Sequence, residues 1–180
     1  RWVYADNQII DPNQVDEANL STVSSVRIVS GFGGRPEEST HQKILIIGAG
    51  GIGALLVAQL FRAYTFSNDF HNWPIDLTIM DGDVVEMRNL PHQPYSERDV
   101  EEGLTKVEAL RKSLDYLHLN KEVLKLNPVP ENFSEETDLS DYILVVVAVD
   151  RDEPRDLVHN KAEHWLDLRA SGDGFMMWSS

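Results

Sequence analysis

One run, "KILIIGAGGIGALLVAQLFRAY" at 43–64, constrains this chain more than any other. "KILIIG" is a short, largely apolar run that ends on glycine, the pattern of a strand buried on both faces of a parallel sheet. "IGALLVAQLFRAY", 52–64, follows with a helical composition. Between them Gly48, Gly50 and Gly53 stand in a G-x-G-x-x-G spacing. Glycine is needed there for three reasons: the turn is tight, the backbone must come close to a phosphate, and the helix must pack near the strand. The N-terminus of that helix then offers free N–H groups and a partial positive charge to an anion. No Gly-Lys-Ser/Thr follows, so the loop is not a P-loop. A tight strand–helix turn without a ligand is the plainer reading. The strand before it and the helix after it favour the anion site.

The pattern then alternates. "DLTIMD", 76–81, predicts a second strand ending in Asp81, the place of an acidic residue that bonds a ribose hydroxyl in such sites. The polar, aromatic loop "SNDFHNWP", 67–74, lengthens the gap before it. Ser96 with Asp99 resembles a capping box. The helix it starts places Val100, Leu104, Val107, Leu110, Leu114 and Leu117 near one face. "EVLKLNPV" predicts a third strand and "YILVVVAVD", 142–150, a fourth. Pro154 suits the first turn of a helix through about residue 164, and "WLDLRASG" reads as a last strand. The class is therefore α/β with a mainly parallel sheet. Residues 1–26 are polar and weakly patterned, "VRIV" at 26–29 predicts a short strand, and "SGFGGRPEEST", 30–40, a loop. The division expected is an N-terminal segment, 1–40, and one α/β domain, 41–180. The chain starts at Arg1, which suggests a piece of a longer protein.

The formal charge of −14 argues against general nucleic-acid binding, which needs a basic face. An anionic ligand must be held by a local group of cations, by backbone N–H groups or by a metal. There is no cysteine, so neither a disulfide nor a thiolate zinc site is expected within the chain, which fits a cytoplasmic protein. No apolar run approaches the roughly 20 residues of a membrane span. His41, His71, His118, His159 and His164 have no metal-ligand spacing.

Four stretches occur in order: "GAGGIG", "DGDVVEMRNLPHQ", "EEGLTKVEAL" and "VVVAVDRDEPR". Together they resemble the E1-like activating enzymes, the superfamily of ThiF-type and ubiquitin-activating enzymes, over about residues 43–170. The resemblance implies a Rossmann-like, three-layer αβα domain that binds ATP and Mg²⁺. It implies that Gly48, Gly50 and Gly51 lie against ATP, that Asp81 holds the ribose hydroxyls, and that Asp83 sits near the phosphates or the magnesium. Asn89 and Gln93 match a polar pair around the α-phosphate. Lys106 matches a lysine that contacts the phosphates. Asp150 matches the aspartate associated with magnesium and adenylation, and Arg155 the arginine five positions later. Two residues depart from the family pattern. His92 stands where the family has arginine, and Arg151 where it has asparagine. Histidine is shorter, only partly charged near neutral pH, and lacks the planar fork of arginine. Arg88, Arg151 or an arginine of a second subunit are the groups available to compensate.

The activity so implied is ATP-dependent adenylation of the C-terminal carboxylate of a ubiquitin-like or sulfur-carrier protein, with release of pyrophosphate. Lys106, Asp150, His92 and Arg88 are the catalytic candidates, and a dimer is implied by resemblance. Many relatives pass the acyl group on to a cysteine. This chain has none, so the thiol lies beyond the chain, belongs to a partner, or is not used. Two alternatives stay open: a non-catalytic nucleotide-binding member of the same family, and an NAD-dependent oxidoreductase, which leaves Asn89, Gln93 and Lys106 unexplained. Taken singly, Asp81 and Asp83 also read as a solvated strand end, Asn89 as a turn residue, Lys106 as a surface charge and Asp150 as a helix cap.

Overall fold

The structure, a computed structural model, describes residues 2–5, 8–10, 26–29, 41–66, 73–117, 123–171 and 174–180. The chain divides into two compact units, Arg1–Ser39 and Thr40–Ser180. In the first, strands β1 (Trp2–Ala5), β2 (Gln8–Ile10) and β3 (Val26–Val29) form an antiparallel sheet in the order β2-β1-β3. Strand β3 is the expected "VRIV". Strands β1 and β2 were not expected, because three or four residues give too little alternation to stand out from a polar background. The loop expected at 30–40 and residues 67–72 of the loop expected at 67–74 lie outside the described residues.

The second unit runs β4 (Gln42–Ile47), α1 (Gly51–Phe66), β5 (Ile75–Met80), α2 (Glu97–Glu101), α3 (Lys106–Leu114), β6 (Leu124–Val129), β7 (Leu144–Val147), α4 (Asp152–Lys161), β8 (Trp165–Ser171) and β9 (Gly174–Ser179). Its six strands lie in the order β6-β5-β4-β7-β8-β9. All pairs are parallel except β8 with β9. The chain steps outward from β4 to β6, then returns to the other side of β4 at β7. That reversal opens a crevice beyond the carboxyl ends of β4 and β7, where ligands bind in open α/β sheets.

Side chains that alternate along the strands build two cores. Ile46, Leu77, Ile79 and Val146 pack with Ala54, Val57, Phe61 and Tyr64 of α1 and with Val107, Leu110 and Leu114 of α3. Leu45, Ile47, Val145 and Val147 pack on the opposite face with Leu139 and with Val158 of α4. The domain is thus a three-layer, Rossmann-like αβα fold. Among the described residues no helix is long and apolar enough to cross a membrane.

Two expectations change. The single helix expected from Ser96 is two. The Ser96 capping box does form, with the Ser96 N–H and hydroxyl donating to Asp99 at 2.9 and 2.7 Å. Gly103, at φ +64°, then ends the first helix, and Thr105 opens the second through its own box with Glu108. The apolar spacing continues across this break, so periodicity alone hides it. The second change is β9, which was not expected as a strand of its own. It is exposed at every position, so burial imposes no alternation on its sequence.

Candidate functional site

Loops after β4, β5, β6 and β7, together with β8 and β9, surround one cleft of about 830 Å³. The glycine turn forms its floor. Gly48 adopts φ +101°, and a Cβ there would lie 2.7 Å from the carbonyl oxygen of Ala148. A Cβ on Gly53 would lie 1.8 Å from the carbonyl oxygen of Gly48. These two glycines serve the turn and the helix–strand contact. Gly50 differs: a Cβ there would meet nothing within 4 Å. It leaves space at the N-terminus of α1, where N–H groups lack intrahelical partners.

Asp81 braces this turn from the end of β5. One carboxylate oxygen accepts the Ala49 N–H at 2.7 Å and the other accepts the Asp83 N–H at 2.9 Å. The Tyr95 hydroxyl donates to the Ala49 carbonyl at 2.5 Å, so the same residue is tied through both its N–H and its C=O. Burial, reinforced by the charges of Asp81 and Asp99, pushes the Tyr95 phenol well above its usual range and keeps it a donor.

Lys106 enters from the first turn of α3. Its N–H donates to the Asp83 carbonyl at 2.9 Å, and a bridge between Val84 and Thr105 ties the same strands of chain. Its ammonium reaches the Asp83 carboxylate at 2.7 Å. The lysine side chain is 9% exposed and that of Asp83 63%. A buried cation therefore has a hydrated anion as its partner.

Gly48, Gly50, Gly51, Asp81, Asp83, His92, Gln93, Lys106, Asp150 and Arg155 all line the cleft. His92 and Asp150 are exposed. The Gln93 side-chain oxygen is buried without a hydrogen-bond partner. Its amide presents either that oxygen or, after a half-turn, its NH₂ to a ligand. Arg88 and Asn89 are not among the lining residues. Arg88 is mostly exposed and pairs with Glu86, while the Asn89 side chain accepts the Glu86 N–H at 2.9 Å and closes a one-turn 3-10 helix, Met87–Asn89. Arg151, not Asp150, is the N-cap of α4, and it makes no side-chain capping bond.

Arg155 lines the cleft but is spent on the interior. Its guanidinium donates to the carbonyls of Val149 and Leu168 and pairs with Asp167. Burial first, then the charge of Arg169, pushes it below its usual range. No motif singles out Tyr95, Asn132, Arg169 or Met176. The last three line the cleft from the segment after β6 and from β8 and β9, elements that carry no motif.

Among the described residues no three His, Cys, Asp or Glu side chains are grouped to hold a metal ion. Asp83 and Asp150 offer carboxylates at the cleft, which suits Mg²⁺ held chiefly by ligand phosphates with one or two protein oxygens.

A family model described as "ThiF family" matches residues 27–166. The chain belongs to the ThiF family. Solved structures similar to this ThiF-family chain include Escherichia coli MccB with MccA-N7isoASN, 22% identical, with a TM-score of 0.57, over 76% of this chain and 38% of that one. E. coli tRNA N6-threonylcarbamoyladenosine dehydratase, TcdA, in complex with ATP is 21% identical, with a TM-score of 0.51, over 65% and 44%. PaaA is 24% identical, with a TM-score of 0.52, over 72% and 38%. At this identity the likeness is one of fold. The chain spans less than half the length of these three chains. No curated protein matches.

Proposed function

We propose that this ThiF-family domain binds ATP in the cleft and adenylates the C-terminal carboxylate of a small ubiquitin-like or sulfur-carrier protein, releasing pyrophosphate. The observation that carries this reading is Lys106, a 9% exposed ammonium beside Asp83 in a cleft floored by a glycine turn. A carboxylate is a poor electrophile. Joined to the α-phosphate it becomes a mixed anhydride with AMP as leaving group. Nucleophile and phosphates are both anions, so catalysis consists of positioning and of positive charge aimed at the transferring phosphorus. In a chain of net charge −14 that charge has to be local. Lys106, Arg151, Arg169 and the N-terminus of α1 offer such charge at the cleft, with the His92 imidazole beside them.

In this reading Gly50 leaves room for the phosphates and Asp81 accepts the ribose hydroxyls while bracing the turn. The Gln93 side chain turns its amide NH₂ to the α-phosphate. Mg²⁺, held by ligand phosphates with Asp83 or Asp150, would offset phosphate charge. Dimerisation, implied by the family resemblance, belongs to the same proposal.

The test is exchange of labelled pyrophosphate into ATP in the presence of a candidate carrier. Exchange is expected with a free C-terminal carboxylate and not with a C-terminal amide. A second reading, a nucleotide-binding member without turnover, is favoured by one specific observation: Arg88 pairs with Glu86 and does not line the cleft, so it does not make up for His92 at the position where the family has arginine. ATP binding without exchange for any carrier selects it. A rise in Tm with NAD but not with ATP refutes both readings in favour of an oxidoreductase.

A further inference from the structure

The cleft has a second end, away from the glycine turn, formed by the start of α4 and by β8 and β9. Its chemistry centres on Asp167, which has no exposure at all. Arg155 pairs with this carboxylate, His159 Nε2 lies 3.1 Å from it, and Arg169 donates to it through Nε at 3.3 Å and a terminal nitrogen at 2.9 Å. Two guanidinium groups face this one buried carboxylate, and the second negative charge beside them is that of the exposed Asp152. Arg155 is 5% exposed and its donors are directed to Asp167 and to two backbone carbonyls. Arg169 is one-third exposed and lines the cleft. Of the two, Arg169 is therefore the guanidinium open to a ligand in the cleft.

The Arg169 guanidinium is held in a set orientation. Asp167 takes Nε and Nη2, and the Trp178 ring lies under it at 4.9 Å. This stacking follows from register: Asp167 pairs with Trp178 and Arg169 with Met176, so Arg169 and Trp178 are diagonal neighbours. The remaining nitrogen, Nη1, faces Asp152 at 3.6 Å, beyond hydrogen-bond length. The Asp152 side chain is 83% exposed and loses little by staying in water. An incoming carboxylate gains a pre-oriented donor by replacing that loose contact.

We propose that Arg169, braced by the buried Asp167, grips the free carboxylate of the acyl substrate at the β8–β9 end of the cleft. This rests on the adenylation reading and deepens it: the glycine turn and Lys106 hold the nucleotide, and Arg169 holds the second anion until it meets the α-phosphate. Ala170 and Met176 line this end and face the residue that precedes the carboxylate. Asp167 is a positioning residue that acts through Arg169.

The probe is N-acetylglycine, with N-acetylglycinamide as the uncharged control. Each is titrated to saturation, with and without the ATP analogue AMPCPP, while the Arg169 Nε–H and the backbone amides of Ala170 and Met176 are followed by NMR. The expected result is a saturable shift with the acid and none with the amide. In Arg169→Gln the affinity for the acid falls about tenfold or more, the loss of a charge-assisted hydrogen bond, and in Arg169→Lys it falls less. Three results overturn the proposal: no response to the acid, an equal response to the amide, or a parallel fall in acid and AMPCPP affinity in Arg169→Gln, which marks a folding role only. The Gly50 amide reports AMPCPP separately. If AMPCPP does not bind, the adenylation reading fails, and the titration with acid alone still decides the role of Arg169.

Discussion

Lys106→Met separates fold from chemistry, because methionine keeps most of the buried stem and removes only the ammonium. The partner left behind is Asp83, whose side chain is 63% exposed and rehydrates at once. No buried unpaired charge results, so the roughly 3–5 kcal/mol penalty of breaking a buried ion pair does not apply. The stability cost is that of a surface pair, about 0–1 kcal/mol, or a Tm shift of no more than about 4 °C. The mirror variant Asp83→Asn behaves differently. It leaves the ammonium, 9% exposed, beside a neutral amide, and costs about 1–3 kcal/mol. On activity, loss of one cationic donor to the transferring phosphoryl group lowers exchange about 10²–10³-fold, roughly 3–4 kcal/mol of barrier. The assays are thermal unfolding and pyrophosphate exchange at saturating carrier. Exchange within about twofold of wild type would refute the role given to Lys106, by the tenfold-per-1.4 kcal/mol conversion. A Lys106→Met variant less stable than Asp83→Asn would refute the account of which partner is solvated.

Gly48→Ala is expected to destabilise by at least about 2 kcal/mol in urea denaturation, since φ +101° is strained for alanine and the new Cβ would sit 2.7 Å from the Ala148 carbonyl oxygen. Gly50→Ala has open space around the new methyl, so its fold survives and its ATP affinity, measured by calorimetry, falls instead. Bonds from the Thr105 hydroxyl and then from its backbone N–H hold the Glu108 carboxyl below its usual value in the folded state. Its stabilisation is therefore complete above the unfolded pKa and is lost as pH falls through the lower folded pKa. Glu108→Gln should show a shallower loss of stability than wild type in denaturation series run from about pH 6 to pH 3, and parallel curves would show that the box contributes nothing. Asp167→Asn leaves the buried Arg155 guanidinium without its carboxylate and should cost about 3–5 kcal/mol in the same assay.

Legibility followed the range of the forces involved. The β4–turn–α1 unit was plain because its apolar run, glycines and helix are contiguous and each obeys a local rule. The Ser96 capping box was legible for the same reason, since its partners are three residues apart. The split between α2 and α3 was hidden because it depends on the backbone conformation of Gly103, while the apolar spacing runs on unbroken. Asp81 was legible as a cleft residue, but its hold on the Ala49 N–H across 32 residues was not. Tyr95, Asn132 and Arg169 sit in no motif, and only the packing of distant segments brings them to the cleft or its floor.

By itself the sequence determined the parallel α/β class and the glycine turn, since each follows from periodicity, backbone sterics or motif spacing, and the family resemblance pointed to several, not all, of the polar side chains that line the cleft. The tertiary structure decided how those side chains are used. It turned Arg155 of α4 inward onto Asp167 and left Arg169, two residues from Asp167 on β8, as the guanidinium that reaches the cleft. The reason is physical: the Arg155 guanidinium has several staggered directions open to it, and the choice among them is made by a fully buried carboxylate on β8, a separate element that no local pattern records.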